Sequence, residues 1–432
     1  MQALLSFDKA PPFAAPLRFF LTAPLFAMAA SLVLVIIGPE MLASRWSPAL
    51  LAATHLVTVG FMMQVMLGAL IQILPVVAGA NLVRPLTVAR WLHAGLSVGA
   101  VLLAAGFLAG RPGWLGIAAV ILALAIGGFL VAATRALVGV PSTSPTIRGL
   151  KLALAGLGVA VTLGCVIALA LAHGWALPLV ALTDLHAGWA LGGWAGVLLA
   201  AMAYVVVPMF QLTPGYPARP SWAFPIILVG LLLAWSLAVA IGAEILAQAA
   251  QLAAAIAGIA FSALTMRLQS QRRRARPDAT YRNWQFGAAC AIVGLAMWST
   301  ATVFPVFGNL PGWTLSFGVL LIAGGFVSFI SGMLYKIVPF LAWLHLQNLG
   351  EGAVVAPPMN RILADVEMSR QVRAHVAAVG ALFAACWQPE WLARPAGALG
   401  AVASAWLFFN LARAFARYRR HAAGVPVPVS TP

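Results

Sequence analysis

The feature that most constrains this chain is a regular march of apolar runs, each about 20 residues long, enough for a helix to cross the hydrocarbon core of a bilayer. Twelve such runs can be drawn, at 17–37, 48–77, 87–110, 113–135, 149–172, 177–210, 221–243, 245–267, 283–305, 313–344, 371–388 and 392–416. With no water in the bilayer core, only helices or closed barrels satisfy their backbone there. The runs are too long for barrel strands. The expected fold is therefore all-α, a polytopic bundle of twelve transmembrane helices. The first run exceeds the apolar core of a signal peptide and is read as a span.

Composition agrees: 63% of the 432 residues are hydrophobic and 8% charged, where a soluble domain carries about 25% charged. The +16 net charge then records topology. With the N-terminus inside, Lys9, Arg18, Arg84, Arg90, Arg135, Arg148, Lys151, Arg219, the 267–282 cluster, Arg361, Arg370, Arg373 and the 413–420 arginines fall on one side. Only Arg45, Arg111 and Arg394 fall on the other. Because cytoplasmic loops collect Lys and Arg, both termini are expected in the cytoplasm, with the chain in a cell inner membrane. The run Arg272-Arg273-Arg274 with Arg276 is read as a topology anchor near anionic lipid, and no nucleic-acid partner is expected. Residues 1–420 make one transmembrane domain. The polar stretch 346–370 is expected to be a loop, and residues 421–432 a disordered tail. Cys165, Cys290 and Cys386 stand alone in apolar runs, a pattern that suits neither a disulfide framework nor a metal site.

The second, sixth and tenth runs end alike: Gly68-x6-Pro75, Ala201-x6-Pro208 and Gly332-x6-Pro339. The prolines are 133 and 131 residues apart, one four-helix step each, which divides the chain into units at 17–135, 149–267 and 283–416. Small residues let helices approach closely, and repeats in membrane proteins meet at their functional sites.

Seven histidines follow from this frame. His93, His173, His345, His375 and His421 fall at span ends or in the tail and are read as interfacial. His55 and His186 precede their prolines by 20 and 22 residues, which places them within one helical turn of the same depth in the outer half of the bilayer. The third unit has Val319 and Phe317 there. Ionisable groups inside spans mark function by default, and two imidazoles at one level can bind iron from opposite faces of a porphyrin. Taken singly, each is more often a satisfied core residue; it is the register match that makes ligation an equal reading. Asp184 is either a partner that orients His186 or a surface acid. Trp189 and Trp194 either wall a planar cofactor or only pack, and Trp175 belongs to the aromatic belt. Lys336 is expected to snorkel to the cytoplasmic face, with a proton relay as the alternative. Tyr204, Gln64 and Gln72 either line a polar path or bond to backbone freed by the prolines.

The motif His55-x4-Gly60-Phe61-x6-Gly68-x6-Pro75-x3-Gly79 resembles the ligand-bearing helix of the NnrS-type haem and copper membrane proteins, and also those of haem-copper oxidase subunit I. The runs His186-Ala-Gly188-Trp-Ala-Leu-Gly-Gly193-Trp194-Ala-Gly196 and Gly332-Met-Leu-Tyr-Lys-Ile-Val-Pro-Phe340 are similar to helices of the same superfamily. The resemblance implies an oxidase-subunit-I-like bundle of three arcs, with haem, or else copper, held in the outer half by His55 and His186 beside Trp189 and Trp194. Its partners would be respiratory electron carriers. Two departures weigh against reduction of dioxygen or nitric oxide at a binuclear centre: the seventh run, Pro220 to Ala243, holds no histidine, and Gly188 stands where relatives carry the second His of His-x-His. Electron transfer, nitric oxide handling and metal-centre maturation remain. The competing readings are a permease built around Gln72, Tyr204 and Lys336, and a cofactor-free subunit of a respiratory complex.

Overall fold

The computed structural model describes residues 9–274, 276–349 and 356–423. Among these residues there are helices and no strand. The long helices are α1 Ala14–Leu42, α2 Pro48–Ala78, α3 Pro85–Leu108, α4 Pro112–Leu137, α5 Pro145–His173, α6 Leu179–Gln211, α7 Ala218–Ala240, α8 Glu244–Ser270, α9 Ala279–Val303, α10 Gly312–Leu349, α11 Asp365–Ala385 and α12 Pro389–Ala423. Two single turns, Pro305–Gly308 and Met359–Ile362, lie in connections.

Eleven of these helices are long and apolar enough to cross a membrane. The exception is α11, whose first nine positions carry Asp365, Glu367, Arg370 and Arg373. The polar stretch read as a loop over 346–370 is thus helical at both ends. It continues α10 to Leu349 and opens α11 at Asp365, while residues 350–355 lie outside the described residues. Likewise α12 carries the start of the expected tail, through Ala423, and residues 424–432 lie outside the described residues.

Local chemistry sets the boundaries. Proline occupies the first turn of α2, α3, α4 and α5, where its missing N–H costs nothing. Ser144 caps α5 by accepting from the Ile147 N–H, and Asp278 caps α9 by accepting from the Tyr281 N–H, each satisfying one orphan donor. The C-terminus of α2 turns at Gly79, with φ 65°, a left-handed conformation that suits glycine.

Three helices stand inside the others. Buried residues make up 72%, 56% and 61% of the most apolar stretches of α2, α6 and α10, against at most 39% in the remaining spans. Around them the outer helices pack in sequence-neighbour pairs, α3 on α4, α4 on α5, α7 on α8 and α8 on α9, and α1 packs along α12.

Each inner helix widens into a π-helical stretch: Leu56–Met63 in α2, Trp189–Gly196 in α6 and Leu320–Phe326 in α10. Leu56, Trp189 and Leu320 all lie 19 residues before Pro75, Pro208 and Pro339. Inside each stretch, 15 residues before the proline, a glycine meets the first helix of the same four-helix stretch. Gly60 abuts Phe26 of α1, the Gly193 carbonyl lies against Gly156 of α5, and Gly324 abuts Cys290 of α9. The small residues seven positions before the prolines do the same: Gly68 meets Phe19, Ala201 meets Gly149 and Gly332 meets Asn283. Absence of a side chain lets the backbones close in at two levels per helix.

Candidate functional site

His55 ends the regular first turns of α2, immediately before the π stretch, and His186 lies three residues before the π stretch of α6. Their ring centres are 6.5 Å apart and their planes differ by 16°. The two imidazoles are near neighbours in nearly parallel planes. Both residues are half-buried. Among the described residues, no group of three or more His, Cys, Asp or Glu side chains forms.

The two rings are held in the same manner. His55 Nδ1 is 2.8 Å from the Leu51 carbonyl one turn earlier, and His186 Nδ1 is 2.9 Å from the Ala160 carbonyl of α5. A carbonyl only accepts, so each Nδ1 carries the proton and donates. That choice of tautomer leaves both Nε2 atoms with a free lone pair, and neither has a hydrogen-bond partner among the described residues. An imidazole whose Nδ1–H is anchored to a carbonyl is the usual metal-binding arrangement, because the second-shell bond fixes both orientation and tautomer. Phe107 of α3 stacks on His55 at 5.6 Å. Gly164 of α5 lies against His186, where a Cβ would come within 2.8 Å of Cε1.

Two imidazoles with available Nε2 lone pairs are donors that would suit a haem iron. A porphyrin would supply the in-plane nitrogens that a site with only two protein donors lacks. Copper held by these two nitrogens is chemically reasonable as well, since imidazole suits that metal.

The tryptophans point elsewhere. Trp189 is buried and donates from Nε1 to Ser236 Oγ of α7 at 2.9 Å, packed with Trp235 and Leu232. Trp194 is buried in the main core. Among the described residues neither indole makes a ring contact with His55 or His186. Asp184 does not orient His186, whose Nδ1 is already bonded to Ala160. It pairs instead with Arg45, from the connection before α2, at 2.9 Å, with the two side chains 39% and 42% exposed.

Several of the remaining polar residues have structural partners, while the Tyr204 hydroxyl is buried without a hydrogen-bond partner among the described residues. Lys336 Nζ reaches Asp278 at 2.7 Å, and Arg274 meets the same carboxylate. Burial alone would raise the Asp278 pKa, but Lys336, the Tyr281 N–H and Arg274 outweigh it and hold the carboxyl below its ordinary 3.8. Tyr335 donates to Gln371 and accepts from Asn410, which ties α10 to α11 and α12. Gln64 donates to Ser97 of α3, the Tyr204 ring packs edge-on against Tyr216, and the Gln72 carbonyl oxygen is buried without a partner. His375 bonds to Ser328 and His93 to Thr22.

Sequence spacing singled out His55 and His186 as a pair, and their ring centres come within 6.5 Å, but it missed Gly164, Ala160 and Phe107, which build their surroundings. Gly164 offered a signal, as a glycine one turn from Ala160 on the preceding helix. No protein-family model and no curated protein matches the chain.

Proposed function

We propose that this chain is a haem-binding, multi-pass membrane protein in which His55 and His186 are axial ligands and whose role is electron transfer. The observation that carries this reading is the 6.5 Å spacing of two near-parallel imidazoles, both locked through Nδ1 so that Nε2 is the available donor. When bound, a haem with two axial histidines supplies a one-electron couple. The protein's own part is to hold the two Nε2 lone pairs at fixed spacing, through Leu51 and Ala160, and to surround them with Phe107 and apolar helix faces. If both histidines held the iron, they would leave it no open position for a gas, and on that ground electron transfer is the role proposed here over nitric oxide handling. Respiratory electron carriers are the corresponding partners.

The wider plan we propose is twelve spanning helices in three four-helix units, similar to haem-copper oxidase subunit I and the NnrS-type proteins. Supporting the units are the three π stretches at one distance from the three prolines and the paired glycine contacts onto α1, α5 and α9. The twelfth span would be α11, whose charged first turns reach the cytoplasmic interface. An inner-membrane location with both termini cytoplasmic follows from the distribution of Lys and Arg.

The test is optical. The full chain, expressed with ample haem and purified, should show a Soret band and, on reduction, sharp visible bands. His55→Ala and His186→Ala should each shift or remove them. A colourless protein without iron or copper, or a spectrum unchanged in the double variant, overturns the proposal.

A further inference from the structure

A second feature lies apart from the histidines. A cavity of about 130 Å³ runs between α2, α6 and α10. Its walls are mainly corresponding stretches of the three helices, Val65 to Val77, Leu198 to Phe210 and Phe329 to Leu341, each from ten residues before the proline to two after it, joined by Ala195, Phe326 and Trp284 of α9. Ala69, Met202 and Met333, six residues before their prolines, all line it. Identical positions on three helices place the cavity along a common axis. Its surface is entirely apolar.

Shape selects the occupant. Twelve helical residues rise about 18 Å. A lining spread along this length of all three helices suits a flexible methylene chain better than one compact ring. Of the lining residues only Gln72 and Trp284 carry polar side-chain N or O atoms, and neither exposes them to the cavity, so water finds no partner on its wall, and an empty tube forfeits dispersion contacts along its lining. Acyl chains are the solvent of a membrane-spanning bundle and are present at saturating concentration. Methionine side chains such as Met202 and Met333 adapt to a flexible guest. Met209 lines the cavity and is also exposed, so the cavity reaches the molecular surface.

We propose that this axial cavity holds one acyl chain of a membrane lipid, wedged between the three inner helices. The chain leaves one apolar medium for another, so selectivity comes from packing against the three helices and not from hydrophobic transfer.

The full chain, reconstituted in phosphatidylcholine vesicles whose acyl chains end in a photoreactive diazirine, should on illumination carry adducts on the 198–210 and 329–341 peptides, centred on Met202 and Met333. Ala69→Trp and Met202→Trp, which fill the bore, should remove those adducts. Labelling of outward-facing Leu237 and Ile256 should persist. Labelling confined to outward residues, or cavity labelling untouched by both fillings, overturns the proposal. If neither variant folds, the adduct map of the unmodified chain decides. Xenon binding to the cavity without acyl adducts also defeats the proposal, since the guest would then be a small apolar molecule.

Discussion

Gly164 of α5 lies directly against the imidazole of His186, with room for a hydrogen and no more: a Cβ there would come within 2.8 Å of Cε1. The atom it would strike is the far end of a side chain, which can rotate, so the fold should absorb the change while the ligand geometry should not. Gly164→Val is expected to leave helical content unaltered and to shift or abolish the Soret band as His186→Ala does. Absorption spectra and circular dichroism of the same preparation check both halves.

A different glycine should behave in the opposite way. Gly156 faces the backbone carbonyl of Gly193 in the π stretch of α6, and backbone held in a bundle cannot step aside. Gly156→Ala should destabilise the protein by about 3 kcal/mol, at the upper end of overpacking costs. Gly127 of α4, with nothing near its missing Cβ, should tolerate alanine with a change of at most about 1 kcal/mol. Thermal unfolding in one detergent separates the two.

Asp278 joins a helix cap to an ion pair with Lys336. Its native pKa is depressed, so its contribution is complete above the ordinary value of 3.8 and fades as pH falls through the lower native value. Asp278→Asn, which keeps the cap but removes the charge paired with Lys336 and Arg274, should lower stability near neutrality by about 1–2 kcal/mol, in the range of a lost charge-assisted bond. The difference from wild type should shrink once pH drops below 3.8. Melting curves of both proteins over an acid series measure it.

Arg45 and Asp184 are both more than a third exposed, and such pairs contribute about 0–1 kcal/mol. Asp184→Asn should therefore change stability by under about 1 kcal/mol. It should leave the spectrum of any bound cofactor as it is, because His186 is oriented by Ala160. A large spectral change in that variant would show that the carboxylate acts on the ring through a route other than the Nδ1 bond.

How much was legible beforehand varies with the physics of each feature. Helix positions followed from apolar runs, and errors came where charge and helix coexist, as in the first turns of α11, where Asp365, Glu367 and Arg370 open a helix inside the stretch 346–370 read as loop, ahead of the run drawn at 371–388. The prolines of α2, α6 and α10 were visible as a pattern. The π stretches above them were not, since an extra residue in a helical turn has no compositional mark. Lys336 was expected to reach toward the proline end of α10, but its partner Asp278 sits 58 residues away, and no local rule pairs them.

Hydropathy and periodic spacing, by themselves, determined an all-helical chain for an apolar solvent and set His55 and His186 at one depth, because rise per residue is a fixed property of the helix. Depth says nothing about azimuth. Which way each ring turns, that Ala160 and not Asp184 anchors His186, that Trp189 and Trp194 face away from the pair, and that three apolar stretches enclose a common cavity were decided by how the helices rotate and close on one another. Those rotations are set by glycine contacts between segments tens to hundreds of residues apart, an interaction that exists only once the bundle has formed.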